Sequence, residues 1–212
     1  MLRTQELFKV IKDNYSCIPF QKLDHLWNTV RDCPEGDILE VGCWRGGSSL
    51  MIADSARTHK PNSHVFVCDT FEGIVLSSEK DNYHKDGDFG DTTSKELVDE
   101  LLTSYDLKNY SLHKGIFPHD TGEEVTSTKL AFVHVDVDVY EGHMGIFRWL
   151  EGKLVPGAII IFDDYMSPSC LGATKAVHEY FDNNPDFEFH YEAILLWTEN
   201  YWHKGYVVYK PN

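Results

Sequence analysis

Short apolar runs recur along this chain, and five of them end directly in polar residues. They are DILEVG, HVFVCD, NYSLHKG, LAFVHVD and AIIIFDD. Runs of this length, rich in Val, Ile and Phe and without strict alternation, are typical of strands buried on both faces of a parallel sheet. The pattern therefore predicts five parallel strands.

Segments with apolar residues at helical spacing lie between these runs, over residues 46–57, 94–104, 140–153 and 172–181. Glycine and serine at the start of the first two segments are suited to helix caps. Strands that alternate with helices through right-handed crossovers predict a doubly wound, Rossmann-like α/β fold.

The two ends of the chain add further elements. TQELFKVIKDNY and FQKLDHLWNTVRDC, within residues 1–34, predict two amphipathic helices. FEFHYEAILLWT and GYVVYK are separated by a link too short for a parallel crossover, which predicts an antiparallel C-terminal hairpin and a mostly parallel sheet of seven strands. Residues 73–93, which we call the lid loop from the family resemblance described below, are polar, lack periodicity and follow the second strand, where ligands bind in such sheets. One domain over residues 1–212 is expected from this length.

Composition narrows the choice of partners. The formal net charge is −15, which disfavours nucleic acid and anionic membrane surfaces. The sequence has no run of about 18 apolar residues, which is the length that would indicate a membrane span. The charged N-terminus does not resemble a secretory signal. Five cysteines without close spacing indicate free thiols. We therefore expect a cytoplasmic protein.

The first strand leads into a glycine-bearing turn, DILEVGCWRGGSS. Such a turn allows a ligand to approach the backbone, although a purely structural turn has the same composition. Its glycines do not follow the G-x-G-x-x-G spacing of dinucleotide sites, and it lacks the lysine of a P-loop. Glu40 would oppose a pyrophosphate but would suit an amino group.

Acidic residues follow three further strands. Asp69 ends the second strand, where a carboxylate commonly holds a ribose diol or, alternatively, caps the next turn. Asp136 and Asp138 follow the fourth strand, and Asp163 and Asp164 follow the fifth. Because parallel strands end at the same edge, these side chains should converge into an oxygen-rich site for Mg²⁺ or another divalent cation, with helix capping as the alternative.

Seven motifs in order extend this pattern from about residue 37 to 181: LEVGCWRGGSS, CDTFEG, GDFGDTT, KGIFPHDT, VDVDVYEG, PGAIIIFDDY and GATKAV. Together they resemble the class I S-adenosylmethionine-dependent methyltransferases, and more narrowly the macrocin O-methyltransferase (TylF/MycF-type) family. The resemblance implies transfer of a methyl group to a hydroxyl of a sugar or other small natural-product molecule, with a divalent metal, usually magnesium, in the site.

The resemblance also implies roles for individual residues. The cofactor would lie against a set drawn from four of the motifs: Glu40, Gly42, Ser48, Asp69, Phe71, Gly115, Ile116 and Phe117. The metal ligands would be Asp136, Asp163 and Asp164. Either Asp136 or Asp138 would take the proton of the acceptor hydroxyl. Val137 replaces the usual glycine between the two acids, so the acceptor side is expected to differ.

Three other functions are compatible with parts of this pattern. The first is a catechol-type phenolic O-methyltransferase, because a catechol, like a sugar, offers two neighbouring oxygens to a metal. A nucleotide-dependent oxidoreductase shares the fold, although the glycine spacing and Glu40 disfavour it. A catalytically silent cofactor-binding subunit would have no need of clustered carboxylates. The apolar N-terminal helices would allow a homodimer.

Overall fold

The computed structural model describes residues 15–195 and 201–211. Its helices are α1 (Phe20–Asp32), α2 (Gly47–His59), α3 (Lys95–Ser104), α4 (Tyr140–Trp149) and α5 (Leu171–Phe181). Its strands are β1 (Asp37–Val41), β2 (Val65–Asp69), β3 (Tyr110–Lys114), β4 (Leu130–Val135), β5 (Leu154–Phe162), β6 (Phe187–Leu195) and β7 (Tyr201–Tyr209). A 3₁₀ turn over Gly90–Thr92 lies in the lid loop.

These strands form one seven-stranded sheet in the order β3-β2-β1-β4-β5-β7-β6. The pairs among β1 to β5 are parallel, and β7 pairs antiparallel with both β5 and β6. The predicted doubly wound fold with an antiparallel C-terminal hairpin is confirmed. The order reverses between β1 and β4, and this switch point is where ligands bind in open α/β sheets.

Both faces of the parallel strands are buried, as their apolar composition predicts. Strand β4 contributes residues to two cores, with Phe132 in one and Val133 in the other. Helix α1 adds Leu23, Leu26 and Val30, spaced three and four residues apart, to the first of these cores. Amphipathic spacing is therefore what attaches α1 beside α2.

Three predicted boundaries were wrong, and one predicted helix lies outside the described residues. Strand β7 begins at Tyr201 rather than at Gly205, because residues of the predicted link pair with β6. Helix α4 ends at Trp149 rather than at residue 153, because Gly152 turns the chain with a φ of +72°. Strand β5 begins at Leu154, with a register shift against β4 and a φ of +84° at Gly157. The helix predicted from TQELFKVIKDNY falls almost wholly within residues 1–14. None of the helices in residues 15–195 and 201–211 is long and apolar enough to cross a bilayer.

Candidate active site

A cavity of about 280 Å³ opens at the carboxyl ends of the parallel strands. One half is lined by the turn after β1 and by residues that follow β2 and β3. The other half is lined by the segment that leads into α1, by the lid loop and by residues that follow β4 and β5. The lining residues therefore form two groups built from different elements, which we call the first and the second compartment of the cavity.

Gly42 forms the floor of the first compartment. Its φ is +87°, and a Cβ there would overlap the backbone carbonyl of Asp136 on the neighbouring strand. Only glycine allows the β1 turn to pack against the β4 turn. Ser48, in the first turn of α2, also lines this compartment.

Asp69 connects the glycine turn to β2. Its Oδ2 accepts hydrogen bonds from the backbone N–H of Cys43 at 2.7 Å and of Trp44 at 3.0 Å, and its Oδ1 accepts one from Phe71 at 2.7 Å. Asp69 therefore organises the turn and also lines the cavity. A carboxylate has about four acceptor positions, which leaves room for a ligand hydroxyl.

The segment after β3 forms the far wall of this compartment. Gly115, Ile116 and Phe117 all line the cavity. Asp120 fixes the turn, since its Oδ2 accepts the backbone N–H of Ile116 at 2.8 Å. Phe117 is nearly buried and contacts the Trp149 ring edge-on. The wall therefore offers an aromatic ring and open backbone to a planar group.

Two residues predicted to contact the cofactor lie behind the cavity wall. Phe71 is buried in the core, and Glu40 is fully buried; neither lines the cavity. The carboxylate of Glu40 accepts a hydrogen bond from Ser49 on α2 and contacts Nδ1 of His134 at 3.0 Å. Their contact with the cofactor stays a prediction, and in this structure Glu40 joins α2 to β4.

The predicted acidic residues converge in the second compartment. Carboxylate oxygens of Asp136, Asp138 and Asp164 all lie within 4.8 Å of one another, as do ligand atoms of Asp136, Asp163 and His134. The register explains the convergence, because Val135 pairs with Phe162 and the two strands therefore end together. The backbone N–H of Asp138 also donates to Oδ2 of Asp164 at 2.8 Å.

Mutual repulsion and burial perturb these acids. Burial and the charges of Asp163 and Asp164 raise the pKa of Asp136 well above its usual value. Burial and the charge of Asp164 raise the pKa of Asp138 to about 8. Burial would also raise the pKa of Asp163, but the neighbouring Lys22 and His134 hold that pKa below its usual range. Negative charge therefore exceeds positive charge in this compartment.

Lys22 and His134 supply the positive charge near the cluster. Nζ of Lys22, on α1, donates to Oδ2 of Asp163 at 2.8 Å and to its backbone oxygen at 2.9 Å. Nε2 of His134 lies 3.8 Å from Oδ1 of Asp163. Burial opposes protonation of His134, but its contacts with Asp163 and Glu40 raise its pKa to about 10. His134 is fully buried, and these carboxylates favour its protonated form.

This donor set fits a hard divalent cation. Mg²⁺ and Ca²⁺ prefer carboxylate oxygens, and a dication would relieve the repulsion that raises the pKa of Asp136 and Asp138. Asp136, Asp163 and Asp164 stay the predicted ligands, but Asp163 and Asp164 belong to two different groups of ligand atoms, each of which includes Asp136. The ion pair between Lys22 and Asp163 would compete for one of these ligands.

Comparison with known proteins agrees with this geometry. The family described as Macrocin-O-methyltransferase (TylF) matches residues 12–204. The chain belongs to this family of O-methyltransferases. Membership confirms the resemblance seen in the motifs and decides against the oxidoreductase.

Individual relatives are moderately similar to this O-methyltransferase. Mycinamicin III 3''-O-methyltransferase of Micromonospora griseorubida is 29% identical over 80% of this chain and 71% of its own length. The tetracenomycin-C 4'-O-methyltransferase of Streptomyces olivaceus, whose name includes a dimethoxy-rhamnosyl group, is 29% identical over 78% of this chain and 67% of its own. The structure of the O-methyltransferase NovP is 26% identical, with a TM-score of 0.70 over 93% of this chain and 83% of that chain.

Sequence reasoning missed several residues of the methyltransferase site. The contact between Glu40 and His134 could have been found by aligning β1 with β4, where the two residues are register partners. The sequence pattern does not indicate that Lys22 contacts the carboxylates, because a lysine on an amphipathic helix ordinarily faces solvent. Its contact with Asp163 spans 141 positions of the chain.

Proposed function

We propose that this protein transfers the methyl group of S-adenosylmethionine to a hydroxyl of a sugar or other small natural-product molecule, with Mg²⁺ or another divalent cation as cofactor. The observation that carries the proposal is the convergence of carboxylates from β4 and β5 beside the compartment formed by the glycine turn. The rhamnosyl group in the name of one relative supports a sugar acceptor.

The first compartment would hold the methyl donor. Gly42 lets the donor approach the backbone, and Asp69 accepts hydrogen bonds from its ribose hydroxyls. Ile116 and Phe117 provide the surface for its adenine. These contacts would fix the donor so that acceptor oxygen, methyl carbon and sulfur are in line, and such positioning supplies much of the rate.

The second compartment would prepare the acceptor. A divalent cation bound by Asp136, Asp163 and Asp164 would lower the pKa of the acceptor hydroxyl and orient it. The carboxylate of Asp138 or of Asp136 takes the hydroxyl proton. Asp138 is the favoured base, because a carboxylate that binds the cation directly, as Asp136 would, loses basicity to it. The lid loop, through Val75, Leu76 and Phe89, covers the acceptor with apolar surface.

The test is a methyl-transfer assay with labelled S-adenosylmethionine and a panel of sugar-bearing and catechol-type acceptors. We expect EDTA to abolish transfer and Mg²⁺ to restore it. Asp164→Asn should lower transfer by more than about 100-fold, because loss of even an outer partner of a metal site costs about 10–100-fold. Asp91→Asn, at an exposed acid of the lid loop, is the matched control. Transfer that survives EDTA would contradict the metal role, and transfer only to catechols would favour the phenolic acceptor.

A further inference from the structure

Three metal-binding side chains converge beside the proposed active site, and one of them, Asp138, is the candidate base. His84 lies in the lid loop, Asp138 follows β4, and Cys170 precedes α5. Nε2 of His84 lies 3.6 Å from Oδ1 of Asp138, and Sγ of Cys170 lies 3.4 Å from the same oxygen. All three ligand atoms lie within 4.8 Å of one another.

These distances match the edges of a tetrahedral metal site. Ligands about 2.0–2.3 Å from a tetrahedral centre stand about 3.3–3.8 Å apart. Nitrogen, oxygen and thiolate together suit Zn²⁺ or Co²⁺, whereas Mg²⁺ and Ca²⁺ bind oxygen ligands. The cluster therefore differs in chemical preference from the all-carboxylate group of Asp136, Asp138 and Asp164, with which it shares Asp138.

The surroundings of the three residues resemble those of built metal sites. Nδ1 of His84 is buried without a hydrogen bond to any residue that the structure describes, and it lies 3.5 Å from Oδ2 of Asp88, a carboxylate near the place where metal-binding histidines commonly have an outer partner. The side chain of His84 is 10% exposed, and Cys170 is buried. The backbone of Asp138 is anchored on Asp164. Two of the ligands are thus on fixed ends of strands and helices, and the third is on the lid loop.

We infer that His84, Asp138 and Cys170 form a second metal site, selective for Zn²⁺-type transition metals, whose occupation fastens the lid loop over the cavity. On binding, the Cys170 thiol releases its proton to solvent as the sulfur–metal bond forms. Coordination would also engage Asp138, a candidate base. Zn²⁺ would therefore inhibit methyl transfer; this consequence rests on the proposed function, whereas the binding does not.

The binding test uses Co²⁺ as a probe, in protein saturated with Mg²⁺ so that the carboxylate cluster is filled. We expect one Co²⁺ per chain with a thiolate-to-cobalt charge-transfer band. Cys170→Ser should abolish the band, and His84→Gln should weaken Co²⁺ binding at least tenfold. Cys17→Ser is the matched control, because Cys17 is an exposed thiol that also lines the cavity. Since His84 is on a loop, its replacement tests the site even if Cys170→Ser fails to fold.

Absence of a thiolate band, or a band that persists in Cys170→Ser and disappears in Cys17→Ser, would overturn the inference. In that case a simple hydrogen bond from the thiol to Asp138 accounts for the contact. A second arm measures methyl transfer with Zn²⁺ at saturating Mg²⁺. Inhibition of the wild type but not of Cys170→Ser supports closure of the lid loop. A cobalt band without inhibition would refute that closure.

Discussion

Gly172 is expected to control how firmly the lid loop is held. Oδ1 of Asp81 accepts the backbone N–H of Tyr140 at the start of α4 at 2.9 Å, and its Oδ2 accepts that of Ser78 at 2.9 Å. Gly172 lies against this carboxylate, and a Cβ there would overlap Oδ1 of Asp81 and crowd Tyr140. Gly172→Ala should therefore displace the Asp81 side chain from the N-terminus of α4.

The size of the effect follows from two opposing contributions. Loss of a side-chain cap costs about 0.5–2 kcal/mol. Replacement of a helical glycine by alanine gains about 0.5–1 kcal/mol. The free energy of global unfolding should thus change little. The gain from alanine stabilises α5 and not the lid loop, so opening of the loop is affected only by the lost contact of Asp81. A cost of about 1 kcal/mol should raise the open population of the lid loop roughly fivefold.

Hydrogen exchange of the amides in residues 73–93 measures this opening directly. We expect exchange about fivefold faster in Gly172→Ala and a higher KM for the acceptor. Gly145→Ala on α4 is the control, because a Cβ there makes only ordinary contact with Pro118. In an Asp81→Ala background the Gly172→Ala change should have no further effect on the loop. Additive effects of the two changes would refute the proposed contact.

Three other changes test the charges and turns of the site. Lys22→Met should raise Mg²⁺ affinity about tenfold or more in calorimetry, because a hydrogen bond between charged groups is worth about 1.5–3 kcal/mol and now opposes the metal at Asp163; unchanged affinity would contradict the competition. Burial lowers the pKa of His25 to about 4, from 6.5. As the pH falls, His25 is protonated in the unfolded chain before it is protonated in the folded chain, which favours unfolding. The free energy of unfolding of the wild type, measured by urea titration, should therefore fall by up to about 3 kcal/mol relative to that of His25→Gln between pH 6.5 and pH 4. Parallel pH profiles of the two proteins would refute this. Gly42→Ala should weaken binding of S-adenosylhomocysteine by more than tenfold, because the new Cβ displaces the backbone of Asp136; retained affinity would show that the turn adapts.

Local sequence patterns predicted the sheet well because each strand is a short apolar run with polar residues directly after it. The same regularity predicted that Asp136 lies near Asp163 and near Asp164, since parallel strands in register end together; it did not predict that the latter two belong to different groups of ligand atoms. The start of β5 was missed, because Pro156 and Gly157 interrupt its apolar pattern. The pairing with β4 that extends the strand is a tertiary effect.

Contacts between distant elements could not be predicted from spacing. Asp81 and Asn82 in the lid loop accept the first N–H groups of α4 and α5. Before the fold is known, such residues resemble ordinary loop polar residues. For Phe71, by contrast, the local motif predicted a cofactor contact that the side-chain position does not show. It follows a strand end in a motif of the family, yet its side chain turns into the core, with a backbone φ of +52°.

The carboxylates at the ends of β1, β4 and β5 and the cations that face them do not balance in charge. Five carboxylates lie at the ends of β1, β4 and β5: Glu40, Asp136, Asp138, Asp163 and Asp164. Two cations, Lys22 and His134, face them, which leaves an excess of three negative charges when all the acids are ionised. A dication and a sulfonium together carry three positive charges. The fold therefore keeps a costly arrangement whose repulsion the proposed metal and methyl donor would remove on binding, and binding of either should strengthen binding of the other.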